Sequence, residues 1–451
     1  MSHPHDVRAL QAELPALDWT TDAERLAVLS RDFSWFSPIL KRELAGAVAD
    51  IAVRPRDEAE LAALAAACAR RALPLTLRGA ATGNYGQCTP VQGGVLVDMG
   101  GLNRLLWLRD GVARAQAGIR LGELERRLRE QGHELRTMPS TFRLATLGGL
   151  FAGGFGGIGS ITWGPIAAPG NVAGLRVLSV EPQPQAVELR GAEALALHHN
   201  WGTTGIVLEL ELALAPAQDW HEQVIAFPGF DAALDFGQAL AADPALPKRN
   251  VAVLAQPLPA YIQRWEACFP AGHDAAVVVV AREALPAVQA LAAHHGGRVT
   301  HEADSLEAQR RNHSVLELCW NHSTLHAMKT DPGLTYLQCS FSAGSHLQQV
   351  RAVRARFGGE LLLHLEFIRS SDGALICTAL PLLRYVDEAH LQAVVDGIRD
   401  LGVRVNNPHH RHVEDGRFGG TLPPEAAAAK RRFDPLALLN PGKLRVWPLP
   451  G

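Results

Sequence analysis

Apolar and polar positions along this chain follow two periods, and the switches between them mark its elements. Ile51-Ala52-Val53 is a short apolar run closed by Arg54-Pro55, which predicts a strand. Asp57 then stands as a helix N-cap with Glu60 three residues on. Behind it Leu61, Leu64, Ala65 and Cys68 fall at i, i+3, i+4 and i+7, the stripe of a helix with one buried face. Leu73-Pro74 ends that helix, and Leu75-Thr76-Leu77 and Val95-Leu96-Val97 read as strands. Residues 112–117 alternate and Gly118 breaks them. Residues 121–131 have helical spacing with Gly132 as the C′ residue. Strands are predicted at 172–180 and 206–214, and Ala215-Pro216-Ala217 marks a domain boundary. From 218 to about 430 a second α+β region follows, with strands at 276–280 and 360–367 and helices near 232–242 and 384–400. Residues 1–48 form a helical lead-in whose aromatic cluster, Phe33, Trp35 and Phe36, needs a surface to pack on.

Composition narrows the class. At 451 residues the chain exceeds one ordinary core, so two or three domains are expected. Apolar residues make up 47%, which predicts a folded protein, and a net charge of −3 points to neither nucleic acid nor an anionic membrane as partner. The longest alanine/leucine run, 61–69, is too short to span a bilayer. The opening Met-Ser-His-Pro-His-Asp lacks a basic region followed by an apolar core, so no secretory leader is expected. Six cysteines lie scattered without CxxC spacing, which predicts free thiols in a reducing cytoplasm rather than a zinc or iron–sulfur site.

The candidate chemistry begins at Arg78-Gly79-Ala80-Ala81-Thr82-Gly83-Asn84-Tyr85-Gly86-Gln87, between two strands. Small residues let several backbone N–H groups converge on one anion, and with Arg78 nearby such a nest suits a pyrophosphate. A second glycine-rich stretch holds Pro139-Ser140-Thr141, Thr146-Leu147-Gly148-Gly149 and Gly153-Gly154-Phe155-Gly156-Gly157-Ile158-Gly159. Its GxGxxG spelling is rejected as a dinucleotide fingerprint, because the Ser-Ile-Thr-Trp-Gly-Pro that follows cannot start a helix cleanly.

Taken in order, these stretches resemble the vanillyl-alcohol-oxidase/PCMH-type flavoproteins, and among them the group similar to the FAD subunit of bacterial glycolate oxidase. Val53-Arg54-Pro55 resembles the family's opening strand, and residues 78–87 its pyrophosphate loop. Pro139-Ser140, Leu147-Gly148-Gly149 and 160–164 resemble its second FAD-contacting stretch. Gly202-Thr203-Thr204-Gly205-Ile206-Val207 resembles its Gly-x-x-Gly-Ile-Ile segment, and Asp434-Pro435 with Asn440-Pro441-Gly442-Lys443 its closing signature.

The resemblance implies an α+β fold. A two-subdomain PCMH-type FAD-binding domain (49–217) carries an α+β cap (218–430), and residues 431–451 return to the FAD domain. It implies FAD held by residues 78–85, Pro139, Ser140, Thr146, Gly148, Gly149, Gly156, Gly159, Ser160, Gly205, Ile206, Val207, Asn440 and Lys443. Members that tether FAD use a histidine in the first loop, where this chain has Thr82, and some add a cysteine in the second, where 139–164 has neither. Non-covalent FAD is therefore expected, with Cys88 a buried small residue. The family's Gly-Glu-His-Gly stretch is replaced here by Asn407-Pro408-His409-His410-Arg411-His412-Val413-Glu414-Asp415-Gly416, which puts a glycolate substrate in doubt.

Hydride transfer to flavin N5 needs a base for the substrate hydroxyl proton, and histidine titrates in the right range. His409, His410 and His412, with Glu414 to orient an imidazole, are the first candidates. His322 and His326, which share a helix face, are the second. Lys329 and Arg369 are candidates to hold a substrate carboxylate. The expected activity is oxidation of a hydroxyl-bearing small molecule, a 2-hydroxy acid, by a cytoplasmic protein without a resident metal. An electron-acceptor protein, a quinone or oxygen is each compatible with this reading, as is a homodimer. Two alternatives stand beside it: a flavin-binding electron-transfer subunit inactive without partners, and a metal-dependent hydrolase using the histidine clusters.

Overall fold

The computed structural model describes residues 7–416 and 420–445. Three sheets carry the fold. In the first, strands run in the order Asp18–Thr20, Ile51–Arg54, Val95–Asp98, Leu75–Arg78, the first pair antiparallel and the others parallel. The helix Glu58–Arg70 connects two of the parallel strands and buries Leu61, Leu64, Ala65 and Cys68 against them. Its N-cap Asp57 accepts from the Glu60 amide, and the Glu60 carboxylate reaches back to the amide of Arg56. The segment before Gly442 joins the same sheet, because the Leu75 amide donates to Leu438 and the Asn440 amide to Leu75.

The second sheet is antiparallel, with Leu105–Arg109, Val112–Gln116, Ile206–Pro216, Val172–Leu178 and Ala186–Arg190 in order; His133–Leu135 pairs with the end of the long strand. The third has eight strands, ordered Arg298–Asp304, Trp220–Phe227, Asp274–Ala281, Lys248–Leu254, His364–Arg369, Leu375–Ala379, Gln338–Ser340, Arg404–Asn406. Its central strands are buried on both faces, so they read as continuous apolar runs rather than alternations. Val277 and Val279 join the core shared with the second sheet. Ala276, Val278 and Val280 face the helices Phe230–Ala242, Leu285–His294, His346–Phe357 and Glu388–Arg399. The third sheet is thus joined to the second through one continuous core.

Two local expectations change. The strand expected at 360–367 begins only at His364, because Gly358–Glu360 is a tight turn after the helix His346–Phe357. Residues 160–163 do form one helical turn, Ser160–Trp163, which Gly164 and Pro165 stop at once. No strand precedes that turn: the helix Leu147–Gly153 and an irregular stretch do, so the GxGxxG there still lacks the strand–turn–helix frame of a dinucleotide fingerprint.

Candidate active site

A cavity of about 1020 Å³ lies between the two glycine-rich stretches and the cap. Its floor is the loop 78–85 at the C-terminal end of the strand Leu75–Arg78. Among the described residues, the amides of 79–86 donate to no protein acceptor. A run of buried or half-buried N–H groups with no internal partner is rare in a folded chain. Ala81 (φ 52°) and Gly86 (φ 70°) turn the backbone left-handed, which makes such amides converge.

The second stretch stands directly against this loop. A Cβ on Gly79 would lie 2.2 Å from Thr146 Oγ1, and Gln87 Nε2 donates to the Gly153 carbonyl at 2.9 Å. Thr146 caps the helix Leu147–Gly153 by accepting from Gly149. The concavity between them is lined by converging donors and small residues, and its chemistry fits a diphosphate.

Other elements brace the loop from behind. The Phe33 amide donates to the Gly83 carbonyl, and Asn440 Nδ2 donates to the carbonyls of Gln87 and Trp201, each at 2.7 Å. The aromatic lead-in finds its partners here: Phe33 and Phe36 line the cavity, and Phe36 meets Tyr336 edge to face. Lys443 is fully buried with its Nζ unpartnered beside Gly86, and burial presses its ammonium down to about 8 against the attraction of Asp32. Burial pushes the Asp32 carboxyl up. The Cys88 thiol is pushed up to about 12 by burial, which leaves it protonated at neutral pH.

Of the expected cofactor contacts, residues 78–85, Pro139, Ser140, Thr146, Gly148, Gly149, Gly156, Gly205 and Val207 line the cavity. Five do not. Gly159 and Ser160 sit behind the wall, where the Gly159 amide bonds the Arg249 carbonyl and Ser160 Oγ receives the Gly157 amide. Ile206 is buried in the core of the first sheet, and Asn440 and Lys443 support the loop from below. Arg78 lines the cavity, but its Nη1 is committed to the carbonyls of Leu29 and Arg31.

The expected catalytic groups separate sharply. His409 is buried away from the cavity with both ring nitrogens engaged, Nδ1 with Ser37 Oγ at 2.7 Å and Nε2 with the Tyr336 carbonyl at 2.9 Å. Burial holds it down to about 4. His410 pairs with Asn407, His412 stands 3.4 Å from Asp415, and Glu414 receives the Arg445 amide. None of these four lines the cavity, because the turn after the strand Arg404–Asn406 carries them past it; Arg404, Asn406 and Asn407 reach the wall.

His322 does line it, on the helix Asn321–Thr330. Its Nδ1 is buried with no hydrogen-bond partner, and burial, with smaller contributions from Lys329 and Arg143, lowers its pKa to about 4. His326, one turn on, faces Glu317 at 4.0 Å instead, and burial lowers it to about 4 as well. Lys329 is exposed and Arg369 donates to the Gly373 carbonyl; neither lines the cavity. The cationic side chains that do, besides Arg78, are Arg143 and Arg404.

Trp320 is a wall residue that residue-by-residue reading missed. It adopts a left-handed backbone (φ 51°, ψ −141°), costly for a bulky side chain. Its amide is held by the buried Glu366 carboxylate at 2.8 Å, which is fixed in turn by His364 and Asn250. The indole lies against Gly156, and its Nε1 is buried without an acceptor. Trp201 shows the same pattern (φ 53°, Nε1 buried and unpartnered), stacked on Tyr85.

Comparison with known proteins agrees with this geometry. Residues 49–181 match the family model described as FAD binding domain. An uncharacterised FAD-linked oxidoreductase of Mycobacterium tuberculosis is 28% identical over 206 residues, 43% of either chain. The glycolate oxidase subunit GlcD of Bacillus subtilis is 24% identical over 194 residues, 41% of either chain. These matches span less than half the length of the curated relatives. The fold extends further: a solved alkyldihydroxyacetonephosphate synthase superposes with a TM-score of 0.70 at 16% identity, over 98% of this chain and 86% of that one. Residues 49–181 therefore match an FAD-binding domain, and FAD is the cofactor of this chain.

Proposed function

We propose that this chain is an FAD-dependent oxidoreductase that oxidises the hydroxyl of a small molecule, a 2-hydroxy acid, with His322 as the base. One observation carries this reading: a single cavity is lined both by the loop 79–86 with its partnerless amides and by the His322 imidazole. Bound FAD supplies the hydride acceptor. The chain supplies everything else.

The amides of 79–86 receive the diphosphate, and each charge-assisted bond contributes about 1.5–3 kcal/mol. The loops offer no histidine or cysteine thiolate to tether it, so FAD is held without a covalent bond. Gln87 ties the first loop to the second through the Gly153 carbonyl. His322, neutral across the working pH range because burial depresses its pKa, takes the hydroxyl proton. Arg143, whose Nη2 donates to the Gln309 carbonyl at 2.8 Å, is placed on the same wall to attract a substrate carboxylate. Trp320, locked by Glu366, closes the wall beside His322 and keeps bulk water from the reacting carbon. That the GlcD relative is named for glycolate supports a 2-hydroxy acid as the substrate class.

The test is anaerobic mixing of the FAD-loaded chain with a panel of 2-hydroxy acids and simple alcohols, following bleaching of the oxidised-flavin band. Rapid bleaching by at least one 2-hydroxy acid, and its loss in His322→Ala with FAD retained, is the expected result. Bleaching that survives His322→Ala unchanged contradicts the assignment of the base.

A further inference from the structure

At the outer edge of the cap sheet, His221, Asp219 and Asp304 meet at the ends of two neighbouring strands. His221 lies opposite Asp304 in the register between Trp220–Phe227 and Arg298–Asp304, and Asp219 precedes the first of these strands. His221 is only 7% exposed, and neither ring nitrogen has a hydrogen-bond partner. Its Nε2 points between the two carboxylates, 3.8 Å from Asp219 Oδ1 and 3.9 Å from Asp304 Oδ2. Both distances are too long for a hydrogen bond, and they are nearly equal.

We propose that this gap is a binding site for one divalent first-row transition ion, of the Zn²⁺ or Mn²⁺ class, ligated by His221 Nε2, Asp219 Oδ1 and Asp304 Oδ2. The three ligand atoms lie within 4.8 Å of one another. A point equidistant from them is about 2.2–2.5 Å from each, a few tenths beyond the roughly 2.0–2.2 Å of Zn–N and Zn–O bonds, so a small contraction seats the ion. An imidazole nitrogen with two carboxylates selects Zn²⁺, Mn²⁺ or their neighbours over Ca²⁺ and Mg²⁺, which take all-oxygen shells.

The second oxygens of both carboxylates are already oriented. Asp304 Oδ1 caps the helix Ser305–Arg310 by accepting from Glu307, and Asp219 Oδ2 takes Arg282 Nε at 2.5 Å. Such outer contacts fix ligand direction. Arg282 also stands 3.8 Å from Asp304 Oδ2, and its side chain is 60% exposed, so it is free to swing aside when the ion enters. Asp219 is half exposed, which leaves room for water to complete the coordination.

None of the three residues lines the cavity, so the ion's work is structural. It pins the first strand after the long Ile206–Pro216 strand to the outermost strand of the cap, where the chain passes from one half to the other. The site is independent of the histidine clusters that the metal-dependent hydrolase alternative would use, since among the described residues neither 322/326 nor 409–412 forms a three-ligand group.

The experiment uses the full FAD-loaded chain, stripped with chelator and titrated calorimetrically with Zn²⁺, Mn²⁺ and Ca²⁺. One Zn²⁺ or Mn²⁺ per chain and no Ca²⁺ is expected, with a melting temperature that rises on adding the ion. His221→Ala and Asp304→Asn should each weaken binding by about tenfold or more and abolish the rise in melting temperature. Asp219→Asn provides a third arm should one of these not fold, and an unchanged FAD-to-protein ratio certifies each variant. No ion taken up by the native chain, or uptake equal in native and variants, overturns the proposal.

Discussion

The loop 79–86 and the segment 407–415 are both dense in groups that form hydrogen bonds, yet the fold uses them in opposite ways. In the loop, the residues line a cavity and their amides find no protein acceptor. In the segment, His409 is clamped between Ser37 and Tyr336, His412 stands against Asp415, and Glu414 receives Arg445. A ligand site is marked by polar groups the protein leaves unsatisfied, not by their number. The cap histidines also separate: His322 lines the cavity wall, whereas His364 is fully buried between Ser323 and Glu366.

The sharpest way to break this contrast is to crowd the loop. Gly79→Val drives a side chain into Thr146, where even a Cβ would stand 2.2 Å from Oγ1. Losing two amide–phosphate bonds should weaken FAD by about 100-fold or more, read from flavin content after gel filtration. Next, His322→Ala should slow flavin reduction by about 10²–10⁴-fold with FAD still bound, in rapid-mixing traces. The native rate should fall on the acid side only near pH 4, since His322 loses its lone pair below its depressed pKa.

His409→Ala should act oppositely. Reduction per bound FAD stays unchanged while stability drops by about 2–3 kcal/mol, the cost of two lost buried hydrogen bonds, seen by denaturant titration. The pH dependence follows from its lowered pKa: between about 6.5 and 4 the unfolded chain binds a proton that the folded chain refuses, so stability is lost as pH falls through that window. His409→Ala should flatten that part of the profile. The smallest effects belong to Arg369→Met and Lys329→Met, which should leave KM within about twofold, because neither residue lines the cavity. Lys329→Met should also move the acid limb slightly upward, since Lys329 helps depress His322.

What was legible in the chain were features fixed by near neighbours. The capped helix Glu58–Arg70, the short parallel strands and the glycine-rich loop follow from spacing and small residues within a few positions. The fate of each histidine was not legible, because it depends on residues far away: Ser37 and Tyr336 for His409, and the cavity wall for His322. Trp320 looks in sequence like any core aromatic; its left-handed backbone and its hold on Glu366 exist only once the strand His364–Arg369 is in place. The bracing of Arg78 was hidden for the same reason, since the carbonyls of Leu29 and Arg31 that engage its Nη1 come from the lead-in.

The central claim is that the partnerless amides of 79–86 grip a diphosphate. Stripped of flavin and titrated by fluorescence, the chain should bind FAD at least about a thousand-fold more tightly than riboflavin, which lacks the phosphates, and ADP should compete with FAD. Equal affinity for FAD and riboflavin, or FAD binding indifferent to ADP, would contradict it.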